Sequence, residues 1–134
     1  MKIKSLTFPL LFLTLLVYSS WAKPSTGPSA GLEELFPGKL LDSDGKEVSK
    51  DALAGKTVGI YFSAHWCPPC RSFTPNLVKF RDKNNKNFEV VFVSSDRSPK
   101  AQMDYMKEAG MKWYTLPHRS DEANALAKKF EVRG

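Results

Sequence analysis

Two apolar seven-residue runs, Thr57-Val58-Gly59-Ile60-Tyr61-Phe62-Ser63 and Phe88-Glu89-Val90-Val91-Phe92-Val93-Ser94, constrain the fold more than any other feature of this chain. Both are rich in β-branched and aromatic residues and read as buried strands. Between them the period changes. Phe73, Leu77 and Phe80 recur at i, i+4 and i+7, one apolar stripe of an α-helix, while Arg71, Lys79, Arg81 and Asp82 take polar positions around it. Strand, helix and strand in that order predict parallel pairing through a right-handed crossover, with any site at the carboxyl ends of the strands. The expected class is therefore α/β, a central sheet flanked by helices.

At that end of the first strand stands Trp66-Cys67-Pro68-Pro69-Cys70, which holds the only two cysteines, spaced C-x-x-C. Cys67 falls at the helix N-terminus, where unpaired N–H groups and the positive end of the helix dipole favour a thiolate over a thiol. Its pKa is expected below the roughly 8.5 of a free cysteine, in the range of about 3.5 to 7.5 found for such sites. A thiolate attacks disulfides, and Cys70, one turn on, is placed to resolve the resulting mixed disulfide. Pro68 and Pro69 suit a first helical turn, where a missing N–H costs little. Two other readings remain open: a static structural bond, or half of a metal site. A structural zinc site needs about four ligands, and only His65 and His118 remain to complete one. His65, next to the motif, is a candidate proton relay or simply a local hydrogen-bonding residue. No cofactor is expected, since the cysteine pair is itself the redox group.

The segment Tyr61-Phe62-Ser63-Ala64-His65-Trp66-Cys67-Pro68-Pro69-Cys70-Arg71-Ser72-Phe73-Thr74-Pro75 resembles the active-site segment of the tryparedoxin and nucleoredoxin branch of the thioredoxin superfamily. W-C-P-P-C in place of W-C-G-P-C is typical of that branch, as is Val90-Val91-Phe92-Val93-Ser94-Ser95-Asp96-Arg97. Trp113, Pro117 and the run Ala125 to Gly134 also follow its pattern, so the resemblance extends from about Leu32 to the end. It implies a thioredoxin-like fold and thiol–disulfide oxidoreductase activity, with Cys67 attacking, Cys70 resolving, Trp66 flanking the exposed sulfur and Pro75 kinking the active-site helix. The implied partners are protein dithiols or disulfides and a thiol electron donor or acceptor. Trp113 and Pro117 are placed by it in a loop approaching the active site. Many thioredoxins carry a buried aspartate six residues before the attacking cysteine; here Tyr61 stands there, leaving proton handling to water, Tyr61 or another group. In the family V-R-G is followed by a short apolar residue and a cis-proline. The chain is thus expected to be part of a longer protein, lacking the final hairpin and last helix and leaving the active-site strand with an unpaired edge.

Residues 1–22 have the pattern of an export signal: Lys2 and Lys4, an apolar run from Leu6 to Val17, and Ser20-Trp21-Ala22 as a small-x-small cleavage site. An uncleaved anchor would need roughly twenty apolar residues. A periplasmic or extracellular location is expected, with no membrane insertion after cleavage. In such a compartment disulfides persist, and reduction potential and partner decide whether a C-x-x-C oxidises, isomerises or reduces. Losing Lys2 and Lys4 lowers the formal charge from +6 to +4. The remaining lysines are interspersed with acids and carry no stacked aromatic pattern, which argues against nucleic-acid binding. Lys23 to Gly31, with Pro24, Ser25, Gly27, Pro28 and Ser29, reads as a flexible leader, and 32–134 as one domain, expected to be monomeric.

Within that domain, Leu32 to Phe36 reads as a helical turn stopped by Pro37-Gly38. Asp42-Ser43-Asp44-Gly45 is a turn in a small hairpin, not a calcium loop, whose later ligands are missing. Ser98-Pro99 opens a helix over about 99 to 109 with Gly110 as its stop, and Met103, Met106 and Tyr105 face inward as core. Met111 to Thr115 is extended. Ser120 caps a last helix whose buried stripe is Ala123, Leu126, Ala127 and Phe130.

The alternative function is a non-catalytic thioredoxin-like module binding a partner or a metal through Cys67, Cys70 and His65 or His118.

Overall fold

The computed structural model describes residues 28–133; residues 1–22, read as a signal, and most of the leader lie outside them. Helix α1 spans Pro28–Leu35, so 28–31, assigned to the leader from sequence, are helical. Strands β1 (Leu40–Leu41) and β2 (Glu47–Val48) form the hairpin, and a 3-10 turn over Lys50–Leu53 follows. Then come β3 (Thr57–Ser63), α2 (Pro68–Asn84), β4 (Phe88–Ser94), α3 (Pro99–Glu108), β5 (Tyr114–Thr115) and α4 (Asp121–Lys129). Among the described residues no helix is long and apolar enough to cross a membrane.

The sheet order is β2-β1-β5-β4-β3. β3 pairs with β4 in parallel from Thr57 opposite Phe88 to Ser63 opposite Ser94, and β4 pairs with β5 in parallel. The hairpin enters the same sheet, Leu41 pairing antiparallel with Thr115. The parallel crossover expected from sequence is present, and one expectation is corrected. Only β4 is a buried strand; β3 lies at the sheet edge and is mostly half-buried, because only β4 pairs with it among the described residues.

β4 divides the core by its two-residue alternation. Val91 and Val93 pack with Phe36, Leu40, Leu53, Leu116, Ala123 and Leu126 on the face covered by α1 and α4. Val90 and Phe92 pack with Tyr105, Met106, Met111 and Trp113 on the face covered by α2 and α3. The helix starts follow the sequence: Ser98 Oγ accepts from Ala101 N–H and Ser120 Oγ from Ala123 N–H. Gly110, at φ +68°, ends α3 in a conformation that glycine adopts without strain. Two stripes are corrected. In α2 the buried residue is Thr74, while Phe73 and Phe80 are 52% and 53% exposed. In α4 the stripe ends at Leu126, and Phe130 is half exposed beside Phe62 at the sheet edge. The Asp42 turn is a backbone device, Oδ1 accepting from the N–H groups of Asp44 and Lys46.

At the end of the sheet where β3 begins, Arg81 makes two 2.7 Å hydrogen bonds to Glu89, which is 1% exposed, with Lys56 at 3.5 Å. Those bonds raise the Arg81 pKa beyond its ordinary value against the opposing effect of burial.

Candidate functional site

The chain leaves β3 at Ser63, turns through Ala64, His65 and Trp66, and enters α2 with Cys67 as its N-cap. The turn is fastened twice to the segment after β4. Asp96, 1% exposed, accepts the His65 N–H on Oδ1 at 2.8 Å and the Ser94 hydroxyl on Oδ2 at 2.8 Å. The Trp66 indole N–H donates to the Ser95 carbonyl at 3.2 Å, which holds a half-exposed ring beside the cysteines. Cys67 and Cys70 are joined as a disulfide, with Cα atoms 5.3 Å apart. Cys67 Sγ accepts the Cys70 N–H at 3.3 Å, so a sulfur takes the place that a serine or aspartate oxygen usually holds at a helix start. Pro68 and Pro69 fill the first helical positions, as expected.

Behind Cys70 lies a cluster of hydroxyls. Thr74 Oγ donates to the Cys70 carbonyl at 2.8 Å, and the Tyr61 hydroxyl reaches that carbonyl at 3.3 Å and Thr74 Oγ at 2.9 Å. Tyr105 O–H stands 2.7 Å from Thr74 Oγ and 3.3 Å from Ser63 Oγ. Because each hydroxyl has one proton and the carbonyl only accepts, a consistent assignment runs Ser63 to Tyr105 to Thr74 to the Cys70 carbonyl. Pro75, inside α2, has no N–H to give to the Arg71 carbonyl one turn back. Burial, chiefly, and the neighbouring Tyr61 raise the Tyr105 pKa above its ordinary value, outweighing the opposing effect of its hydrogen bonds with Ser63 and Thr74.

The two histidines are engaged separately. His65 Nε2 lies 3.0 Å from Glu108 Oε2, and its ring packs on Tyr105. His118 Nε2 is 2.7 Å from the Asp96 carbonyl, so that nitrogen carries the proton. Among the described residues no group of three or more His, Cys, Asp or Glu side chains is gathered as for a metal ion. Trp113, expected in a loop approaching the active site, lies in the bend before β5 as a core residue, 1% exposed, and meets edge-on the Tyr61 whose hydroxyl reaches the Cys70 carbonyl. The sequence reading placed Tyr105 in the core and gave neither it nor Asp96 or Thr74 a part in the site. For Asp96 a signal existed, a Ser-Ser-Asp-Arg run at the carboxyl end of an apolar strand.

The thioredoxin-like family model matches residues 55–134. The chain belongs to the thioredoxin-like family. Tryparedoxin of Trypanosoma brucei brucei is 45% identical over 108 residues, covering 77% of this chain and 73% of that protein. Probable nucleoredoxin 1 of Arabidopsis thaliana is 45% identical over 98 residues, covering 71% of this chain but 17% of that protein. The thioredoxin-like chain thus spans less than a fifth of that relative. Among solved structures, tryparedoxin II of C. fasciculata superposes with a TM-score of 0.69 at 40% identity, covering 78% of this chain and 71% of that one. The fold and the tryparedoxin and nucleoredoxin resemblance read from W-C-P-P-C are both borne out.

Proposed function

We propose that this protein is a thiol–disulfide oxidoreductase in which Cys67 attacks and Cys70 resolves. The observation that carries the reading is the cysteine pair closed across the first turn of α2, with Cys67 Sγ on the Cys70 N–H. In the reduced protein that N–H and the helix N-terminus stabilise a Cys67 thiolate. The thiolate attacks a substrate disulfide; a Cys67–substrate S–S bond forms, the substrate S–S bond breaks, and the leaving thiolate takes up a proton. Cys70, giving its proton to solvent, then attacks Cys67 Sγ. The mixed disulfide breaks, the second substrate thiolate leaves and is protonated, and the protein holds the Cys67–Cys70 disulfide. Two electrons have passed to the substrate, and two from an external thiol donor restore the dithiol. Tyr61 acts in this scheme by holding the Cys70 backbone, since its hydroxyl reaches the Cys70 carbonyl. One solved tryparedoxin II, 39% identical to this chain, is complexed with glutathionylspermidine, which supports a thiol as the partner class.

The reading includes export to the periplasm or outside the cell, supported by Lys2, Lys4, the Leu6 to Val17 run and Ser20-Trp21-Ala22. Expression of the full chain, followed by mass spectrometry of the exported product, should find Lys23 as its first residue; product retaining residues 1–22 would refute that part. For the chemistry, the disulfide is titrated in glutathione redox buffers and scored by alkylation. A reversible midpoint near the thioredoxin value of about −270 mV marks a reductant, and one near about −120 mV an oxidant. Cys67→Ser should abolish disulfide reduction, and Cys70→Ser should accumulate mixed disulfides. Full activity in Cys67→Ser would end the reading.

A further inference from the structure

Cys70 is held at both ends of its backbone by side-chain atoms. Its N–H lies on Cys67 Sγ at 3.3 Å. Its carbonyl accepts the Thr74 hydroxyl at 2.8 Å and faces the Tyr61 hydroxyl at 3.3 Å. The second hold matters because the helix ladder is interrupted next to it, Pro75 having no N–H for the Arg71 carbonyl. A threonine that bonds back to the carbonyl four residues earlier tends to bend its helix, so Thr74 and Pro75 act together on the turn after Cys70.

Thr74 is itself held. It is buried, and its Oγ stands 2.7 Å from the buried Tyr105 hydroxyl, which is 3.3 Å from the buried Ser63 Oγ. Tyr105 belongs to α3, and its ring is fixed by Phe92, edge-on at 6.0 Å, and by His65 at 5.2 Å. Glu108, three residues along the same face of α3, holds that His65 at 3.0 Å. With the Tyr105 proton directed to Thr74 Oγ, the threonine proton is free for the Cys70 carbonyl, and a bond donated into a hydroxyl strengthens the one that hydroxyl donates. The chain of hydroxyls ends on a carbonyl, which accepts and passes no proton to either sulfur, so its effect is positional.

We propose that Thr74 and Tyr105 are positioning residues for the resolving step: α3, through the two hydroxyls, fixes the backbone that aims Cys70 Sγ at the mixed disulfide. The proposal rests on the oxidoreductase reading above and assigns these residues to one of its two steps. Attack by Cys67 is served by other contacts, since the turn before it is fastened to Asp96 and Ser95. In the resolving step Cys70 Sγ bonds to Cys67 Sγ as the Cys67–substrate bond breaks, and the substrate leaves as a thiolate that takes its proton from solvent.

The full chain, reduced and freed of reductant, is mixed in a stopped-flow cell with an equimolar amount of the chromogenic disulfide dithiobis(2-nitrobenzoate). Attack by Cys67 releases one coloured thiolate and resolution by Cys70 releases the second. The mixing is done at about pH 5, where the smaller thiolate fraction slows the second step and draws the two apart. Thr74→Val removes the hydroxyl and nearly keeps the shape; it should slow resolution about three- to tenfold, the effect of one such hydrogen bond, with attack within about twofold of the unmodified protein. Tyr105→Phe should slow resolution by a smaller factor, about twofold. Thr74→Ser restores the oxygen and should resolve within about twofold of the unmodified rate. Circular dichroism reports the folding of each variant, and if Thr74→Val does not fold, Tyr105→Phe decides by the same comparison of steps. Unchanged resolution, both steps slowed equally, or a Thr74→Ser as slow as Thr74→Val overturns the proposal while leaving the oxidoreductase reading in place. No release of either thiolate by the unmodified protein overturns both.

Discussion

Replacing Asp96 with alanine removes two accepting oxygens from a site that is 1% exposed. One holds the His65 N–H at 2.8 Å and the other the Ser94 hydroxyl at 2.8 Å. The backbone bonds of residue 96 survive: its N–H still reaches Ser94 Oγ, and its carbonyl still meets His118. A hydrogen bond to a charged group contributes about 1.5 to 3 kcal/mol. The lower figure for each bond suits the alanine variant, because Ser94 can turn toward another acceptor, and the total loss is about 3 kcal/mol. With a urea m-value of about 2 kcal/mol/M for a domain of this size, the unfolding midpoint should fall by about 1.5 M. Asp96→Asn keeps one oxygen for His65 and sets an amide against Ser94, so it should lose about half as much. Urea unfolding of the oxidised protein, followed by circular dichroism and tryptophan fluorescence, measures both. Because the His65 N–H lies two residues before Cys67, the alanine variant should also reduce bis(2-hydroxyethyl) disulfide more slowly. A loss below about 1 kcal/mol in Asp96→Ala, or an asparagine variant as unstable as alanine, would refute the argument that hydrogen-bond geometry at this carboxylate fastens the active-site turn.

Tyr105 predicts an alkaline limit. Its folded pKa lies above the ordinary tyrosine value of about 10, so its contribution to stability is complete below that pH and is lost as pH rises toward the folded value, where the unfolded chain has already released its proton. Unfolding followed across that window should show a smaller loss in Tyr105→Phe, and an unchanged slope would contradict the burial argument. At the other end of the sheet, Arg81→Met leaves Glu89 buried with only Lys56 at 3.5 Å as a charged partner and should cost about 3 kcal/mol, whereas Arg81→Met/Glu89→Leu should recover most of it. A thermal or urea double-mutant cycle with no recovery would assign the stability to the aliphatic stem of Arg81 instead.

Where neighbours lie within one turn, residue order was enough. Ser98 and Ser120 cap the helices predicted for them, Pro68 and Pro69 occupy the first turn of α2, and Cys67 and Cys70 meet because three positions along a helix return to one face. The β-rich runs at 57–63 and 88–94 became paired parallel strands for a similarly local reason, since a helix between two strands sends the second back in the direction of the first. Periodicity says which residues share a face and not what covers that face. Phe73 and Phe80 lie on the edge of a stripe of which only Leu77 packs against the core, their rings meeting Tyr61 and Phe88 while half exposed, and Phe130 reaches only Phe62 at the sheet edge.

Tertiary structure alone decided the rest. It set the hairpin against β5 and brought Asp96 to the His65 N–H and Ser95 to the Trp66 indole across the β3–β4 pairing. It likewise gathered Tyr61, Thr74 and Tyr105 around the Cys70 carbonyl. The sequence by itself determined the Cys67–Cys70 pairing, the helix starts and the strand–helix–strand unit, because these depend on interactions a few residues long. The surroundings of that pair depend on which distant segments the sheet and its covering helices force together, and short-range propensity carries no information about them.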